Sequence, residues 1–478
     1  MTTPAALPAF AAPRAARLHA RTALSVVAGM ALAMGIVTLA GGRREACLLV
    51  AALVMTLSRS RLLASRRGLL EALLLLPLIA MITHGVGLLF VHWPVAGALA
   101  YVAAMFLSIW LRRFGPPGSR AGALLALPFI TLLITPAAGV PPAHAVALAV
   151  LALLVSAALR VLTAPQTRRP VEAPALAMPA AASNLRPIAS TRMAIQLALA
   201  LVAAFVSGHL LFPQHVSWVV LTALLVCSGN RGRADVLYKS GLRVVGALVG
   251  TLVVAGVSQR LPIAQLPGPL LSLIVLTIVG CGLWLREWTY AAWALAMTLT
   301  VALLQPVMGG VAPALPGDVL WERVFAIVLG GLCGVLPSWF VLPVRSEAVL
   351  RRRLAELLAV LAETWAAPTP TAPLRIEQAL LRLEELAPPW RAGARLAFHQ
   401  APLRRPARWL GLSAECVQLA SAAPVGAGPR RALGEARRAL RDPDAIGPAL
   451  QALRDCLADG LAASNAKRPR TATHGSPG

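Results

Sequence analysis

Apolar segments long enough to cross a lipid bilayer recur along this chain, and they constrain its fold more than any other feature. Residues 94–111 and 268–285 contain no charged side chain, and residues 69–91 and 191–212 contain one each. A helix needs roughly 17–25 such residues to span a hydrocarbon core of about 30 Å. Every backbone polar group inside that core must be satisfied within its own segment, so the expected fold is an all-α integral membrane protein. Only 13% of the 478 residues are charged, against about 25% in soluble domains.

Twelve apolar segments can be read: 22–40, 46–57, 69–91, 94–111, 120–136, 143–162, 191–212, 216–228, 240–258, 268–285, 288–305 and 321–343. A shift of 172 residues lays 22–40 on 194–212 and the short 46–57 on 218–229, and it places Arg59 on Arg231, Arg61 on Arg233 and Arg67 on Lys239. Each half then reads long span, short span, basic loop, long span. Six spans per half give both halves one orientation, so about twelve transmembrane helices are expected as two parallel six-helix repeats.

The expected organisation is a cytoplasmic N-terminal segment (1–20), a first membrane repeat (21–162) and a Pro/Ala-rich cytoplasmic linker (163–190). A second membrane repeat (191–343), a cytoplasmic helical tail (344–466) and a disordered end (467–478) follow. Placing the N-terminus in the cytoplasm puts twenty basic residues of the membrane part inside and four (Arg43, Arg44, Arg260, Arg323) outside. That asymmetry sets a multi-pass inner-membrane topology with both termini cytoplasmic. In the tail, Glu356, Glu363, Glu377, Glu384 and Glu385 fall among Leu and Ala at helical spacing, which predicts several short amphipathic helices.

The net charge of +25 does not indicate a nucleic-acid partner. Up to Pro343 there are 24 Lys+Arg and 7 Asp+Glu, and the basic residues sit in short loops rather than interleaved with aromatic residues as a base-stacking surface requires. Six cysteines form no CxxC and no Cys/His cluster, so no metal or cofactor is expected. Catalytic residues are not expected either. The few carboxylates before Pro343 do not converge, and no GxSxG, HExxH or phosphate-cradling glycine loop occurs.

The short second span of each half is the strongest pointer to function. Twelve or thirteen helical residues reach only about 18–20 Å, and undersized spans at matching positions of two repeats mark transporter binding sites. Trp218 opens the second of them, where it could stack on an aromatic substrate. The loop that follows carries Arg231 and Lys239. Arg243 is read as lying about one turn inside the next span, near the cytoplasmic mouth, where a cation attracts an anionic substrate; a snorkelling topology signal is the alternative. Gly241, Gly246 and Gly250 have spacings that permit close helix approach. Glu71 stands one pseudo-repeat from Arg243 as a candidate ion-pair partner. His84, deep in the third span, is either a proton-coupling group or a hydrogen-bonded structural histidine. Glu322-Arg323 reads as an interfacial anchor.

The run Trp218-Val219-Val220-Leu221-Thr222, the basic loop with Arg231-Gly232, and then Gly241-Leu242-Arg243-Val244-Val245-Gly246 to Gly250 resembles the signature of the fusaric acid resistance protein family. The last span, from Glu322-Arg323 through Gly330-Gly331 and Gly334 to Leu342-Pro343, is similar to that family's closing helix. Ala247 departs from the family's usual Thr, and the soluble part lies at the C-terminus rather than between the halves. The resemblance implies an inner-membrane exporter of small organic anions, typically aromatic carboxylates, which sometimes works with a periplasmic adaptor protein. Plant relatives resemble anion channels. A membrane scaffold whose tail docks a partner is the reading from a different class. On the exporter reading, Trp218, Thr222, Arg231, Lys239 and Arg243 are the substrate-path candidates, with His84 and Glu71 behind them.

Overall fold

The computed structural model describes residues 11–59, 66–134, 141–163, 189–228, 232–258, 266–286, 288–304, 317–343, 345–394, 406–422 and 426–466. Among these the chain is all-helical, with eighteen α-helices and no strand. The described residues form two compact units. One holds the apolar helices up to Pro343; the other holds the residues after it, together with 232–235.

The first unit contains α1 (Ala11–Leu39), α2 (Arg44–Arg59), α3 (Arg66–His92), α4 (Pro94–Trp110), α5 (Gly115–Ile134) and α6 (Pro142–Thr163). It continues with α7 (Ala189–Leu211), α8 (Val216–Cys227), α9 (Arg233–Ser258), α10 (Gly268–Leu285), α11 (Tyr290–Leu304) and α12 (Gly317–Phe340). Each of the twelve apolar segments therefore carries a helix. Eight of these helices are long and apolar enough to cross a membrane: α1, α3, α4, α6, α7, α9, α10 and α12. The chain is a multi-pass membrane protein. The remaining four are the second and fifth of each set of six, a regularity that the sequence reading caught only at α2 and α8.

Length explains the position of α8. Its twelve residues rise about 18 Å, too little to span the core, and nine of them are buried. A helix apolar on every face belongs inside a bundle, and α8 packs on α7, α12 and α5. Helix pairs recur when six is added to each number: α1–α2 with α7–α8, α1–α6 with α7–α12, α2–α6 with α8–α12, and α4–α5 with α10–α11. Two further pairs join the sets reciprocally, α4 on α7 and α10 on α1.

Glycines set the closest approaches. A Cβ added at Gly246 would lie 2.7 Å from Ala294 Cβ, and one at Gly250 would lie 3.0 Å from Thr298 Cβ, so α9 lies directly against α11. Gly241 meets nothing within 4 Å, so only two of the three glycines singled out by spacing serve as contact points. The end of α12 is fixed by a local device: Leu342 takes φ +48°, and buried Gln196 on α7 donates from Nε2 to the carbonyls of Val341 (2.8 Å) and Leu342 (3.2 Å). Those carbonyls have no partner within the helix and need an outside donor.

The second unit contains α13 (Ser346–Ala366), α14 (Ala372–Glu384), α15 (Ala387–Ala394), α16 (Pro406–Ala422), α17 (Ala427–Ala439) and α18 (Pro443–Ala466). Leu350, Leu354, Leu357 and Leu361 form the buried stripe of α13 and share one core with Trp409 and Leu412 of α16 and Leu450, Leu453 and Leu457 of α18. The spacing is the 3–4 residue repeat of an amphipathic helix. In this core Cys416 is buried, and burial pushes its thiol up to about 12.

Candidate functional site

Trp218 and Thr222 lie four residues apart on α8 and so share one face. That face meets α12. Arg323 places its guanidinium 3.9 Å from the centre of the Trp218 ring, and a Cβ built at Gly330 would lie 2.8 Å from Thr222 Cβ. Arg323 is 4% exposed. It is therefore not the interfacial anchor that its place at the start of the span suggested. Its Nη2 donates to the carbonyl of Thr298 on α11 at 3.3 Å, and its Nε has no hydrogen-bond partner among the described residues.

Arg243 reaches the same region from α9. The helix begins at Arg233, not near Ser240, so Arg243 stands ten residues and about 15 Å along it. That is near the middle of the helix, while it remains about one turn into the apolar run that starts at Ser240. The residue is 1% exposed, and neither Nε nor Nη1 has a hydrogen-bond partner among the described residues. Arg243 and Arg323 lie within electrostatic range and repel one another. The Thr222 hydroxyl is also buried without a partner among the described residues. Two guanidinium groups and an indole face thus share one region among α8, α9, α11 and α12, with N–H groups to spare, and Thr222 lies one turn further along α8 against Gly330. Ordinarily a buried charge is paired or it is not buried.

Residues 198–336 match the fusaric acid resistance protein-like family. The matched stretch runs from α7 to α12 and contains Trp218, Thr222, Arg243 and Arg323, so the arginine cluster lies wholly inside the fusaric acid resistance protein-like domain. No curated protein matches the chain.

The other sequence candidates separate from this cluster. Lys239 lies one turn before Arg243 on α9, half-buried, with its charge felt at the Cys227 thiol at the end of α8. Arg231 lies outside the described residues. Glu71 does not pair with Arg243: it accepts from Arg120 on α5, Nε to Oε2 at 2.7 Å and Nη2 to Oε1 at 2.8 Å. A pair this exposed, with side chains 25% and 36% accessible, contributes about 1 kcal/mol or less. Glu71→Gln is therefore expected to leave transport within about twofold of the parent chain; a tenfold loss in the vesicle assay below would return Glu71 to the path. His84 is half-buried on α3, with no partner at Nδ1 among the described residues. Helix α3 packs on α4, α5 and α6, none of which contributes to the arginine cluster.

Two residues of the cluster were passed over in the sequence. Arg323 carried a usable signal, an arginine closely followed by a long apolar run in a segment already likened to the family's closing helix. Thr298 carried none, because it contributes only its backbone carbonyl.

Proposed function

We propose that the chain is an inner-membrane transporter exporting small organic acids, aromatic carboxylates foremost, with Arg243 and Arg323 as its anion site. The observation that carries this reading is the pair of buried guanidinium groups with unpartnered N–H donors. Each uncompensated buried ion costs several kcal/mol. A carboxylate between them would offset that cost through charge-assisted hydrogen bonds, for which arginine is the fitting donor. Thr222 would donate a further hydrogen bond, and Trp218 would give a flat apolar wall for a ring. Lys239, one turn before Arg243 on α9, would raise the local concentration of anions, as would the charge of Arg231 in the preceding basic loop of the sequence.

The accompanying architecture is twelve helices in two parallel six-helix repeats, with both termini cytoplasmic. The recurrence of helix pairs and the arginine asymmetry of the loops support it. At the 172-residue shift the first half has Ala46, Val50 and Leu151 where the second has Trp218, Thr222 and Arg323. The site is accordingly assigned to the second half alone.

The test is uptake of labelled benzoate by inverted membrane vesicles containing the chain, with and without a proton gradient. The expected result is saturable uptake that other aromatic carboxylates inhibit. Uptake no higher than in vesicles lacking the chain, across a panel of such acids, would sink the proposal. A steady anion current in a planar bilayer without any energy source would move the reading to an anion channel.

A further inference from the structure

We infer that His215 is a proton-binding group linked to the anion site, so that the chain takes up a proton as it binds an organic anion. The inference rests on the anion-site reading above. His215 closes a 3₁₀ turn, Pro213–His215, between α7 and α8. Its ring is buried, and Nδ1 lies 3.4 Å from Glu322 Oε2. That is ion-pair distance without the alignment of a hydrogen bond. Glu322 has a side chain 52% accessible, which gives protons a route from the medium to the histidine.

This contact is continuous with the arginine cluster. Glu322 directly precedes Arg323, and His215 stands three residues before Trp218, on which Arg323 stacks. The turn and α8 therefore grip α12 twice, once through each neighbouring pair. The turn packs on α7, α8 and α12. Among described side chains, the charged and titratable groups on those helices near it are Glu322 and Arg323 on α12 and the exposed His209 on α7. On α8 there is only Cys227, at the far end.

Charge counting gives the sign of the coupling. Arg243, Arg323 and Glu322 sum to one positive charge while His215 is neutral, and to two once it is protonated. Protonated His215 also pairs with Glu322, which otherwise presents a bare carboxylate beside the site and repels an incoming anion. An anion that neutralises Arg323 removes a charge that opposes protonation of His215. By reciprocity the proton strengthens anion binding as much as the anion strengthens proton binding. Burial first, and the Arg323 charge besides, hold the His215 ring below the ordinary histidine range, so anion affinity rises as pH falls below about 6.5, by at most about tenfold per pH unit for one linked proton.

The experiment is calorimetric titration of the full-length chain in lipid nanodiscs with benzoate at pH 5 and pH 8, in two buffers of different ionisation enthalpy. Benzoate should bind several-fold more tightly at pH 5, with a buffer-dependent heat that reports proton uptake. His215→Gln should hold the pH 8 affinity at both pH values. Glu322→Gln, which removes the opposing carboxylate, should raise the pH 8 affinity towards the pH 5 value; should His215→Gln not fold, this variant and the buffer dependence decide. Equal affinity at both pH values with no proton uptake would overturn the linkage and leave the anion site standing. No benzoate binding at either pH would overturn both.

Discussion

Replacement of Arg243 by methionine is expected to abolish carboxylate binding and transport while leaving the folded chain at least as stable as the parent. The two expectations come from one fact. Arg243 is buried with two nitrogens unpartnered among the described residues, so it contributes little to the fold beyond the packing of its stem. Well-packed apolar side chains in place of buried ions are often neutral or stabilising. A bound carboxylate, by contrast, loses a desolvated charge partner, typically a loss of about 2–5 kcal/mol, or at least roughly thirtyfold in affinity. Thermal unfolding of the purified variant and benzoate uptake in vesicles measure the two sides. Retained uptake would remove Arg243 from the site; a large fall in melting temperature together with lost uptake would make it a structural residue instead.

The second large effect is expected at Gly330. An added Cβ there would press on the backbone carbonyl of Val219 and lie 2.8 Å from Thr222 Cβ. The carbonyl belongs to a buried helix and cannot turn aside, so α8 and α12 must separate. Overpacking of this kind costs about 1–3 kcal/mol. Separation also lifts Arg323 from Trp218, so Gly330→Ala should lower both the melting temperature and transport. Gly241→Ala is the control: its Cβ meets nothing within 4 Å, and alanine in place of an unconstrained helical glycine is neutral or stabilising by up to about 1 kcal/mol. Equal behaviour of the two variants would show that the α8–α12 approach does not hold the site.

Much of the fold was legible from the sequence because the bilayer imposes one-dimensional rules. Span length, the absence of charges and the arginine asymmetry of loops are all properties of local segments, and every apolar segment that they marked carries a helix. The errors came where a helix extends past its apolar run. Residues 233–239, which carry Arg233, Asp235 and Lys239, are helical as well, so Arg243 stands near the middle of α9 although it is only about one turn into the apolar run. Helix α2 likewise begins at Arg44 and ends at Arg59, longer than the apolar run 46–57.

The site divides along the same line. Trp218, Thr222 and Arg243 were candidates in the sequence because an aromatic residue, a hydroxyl and a cation are conspicuous in apolar segments. The partner of each was not. Glu71 and Arg120 are 49 residues apart, Trp218 and Arg323 more than a hundred. No local pattern says which of several arginines turns inward, because an arginine near a span end can either snorkel to water or stack inside the bundle. The sequence by itself determined that this is a multi-helix membrane protein with basic loops and sparse, noticeable polar residues. Only the tertiary structure decided that Glu71 neutralises Arg120, while Arg243 and Arg323 are both buried, within electrostatic range of each other, with nitrogens unpartnered among the described residues. The reason is packing. Glycines 246 and 250 let α9 approach α11 and Gly330 lets α12 approach α8, and between these helices both arginines are buried; that burial is what the proposed anion site rests on.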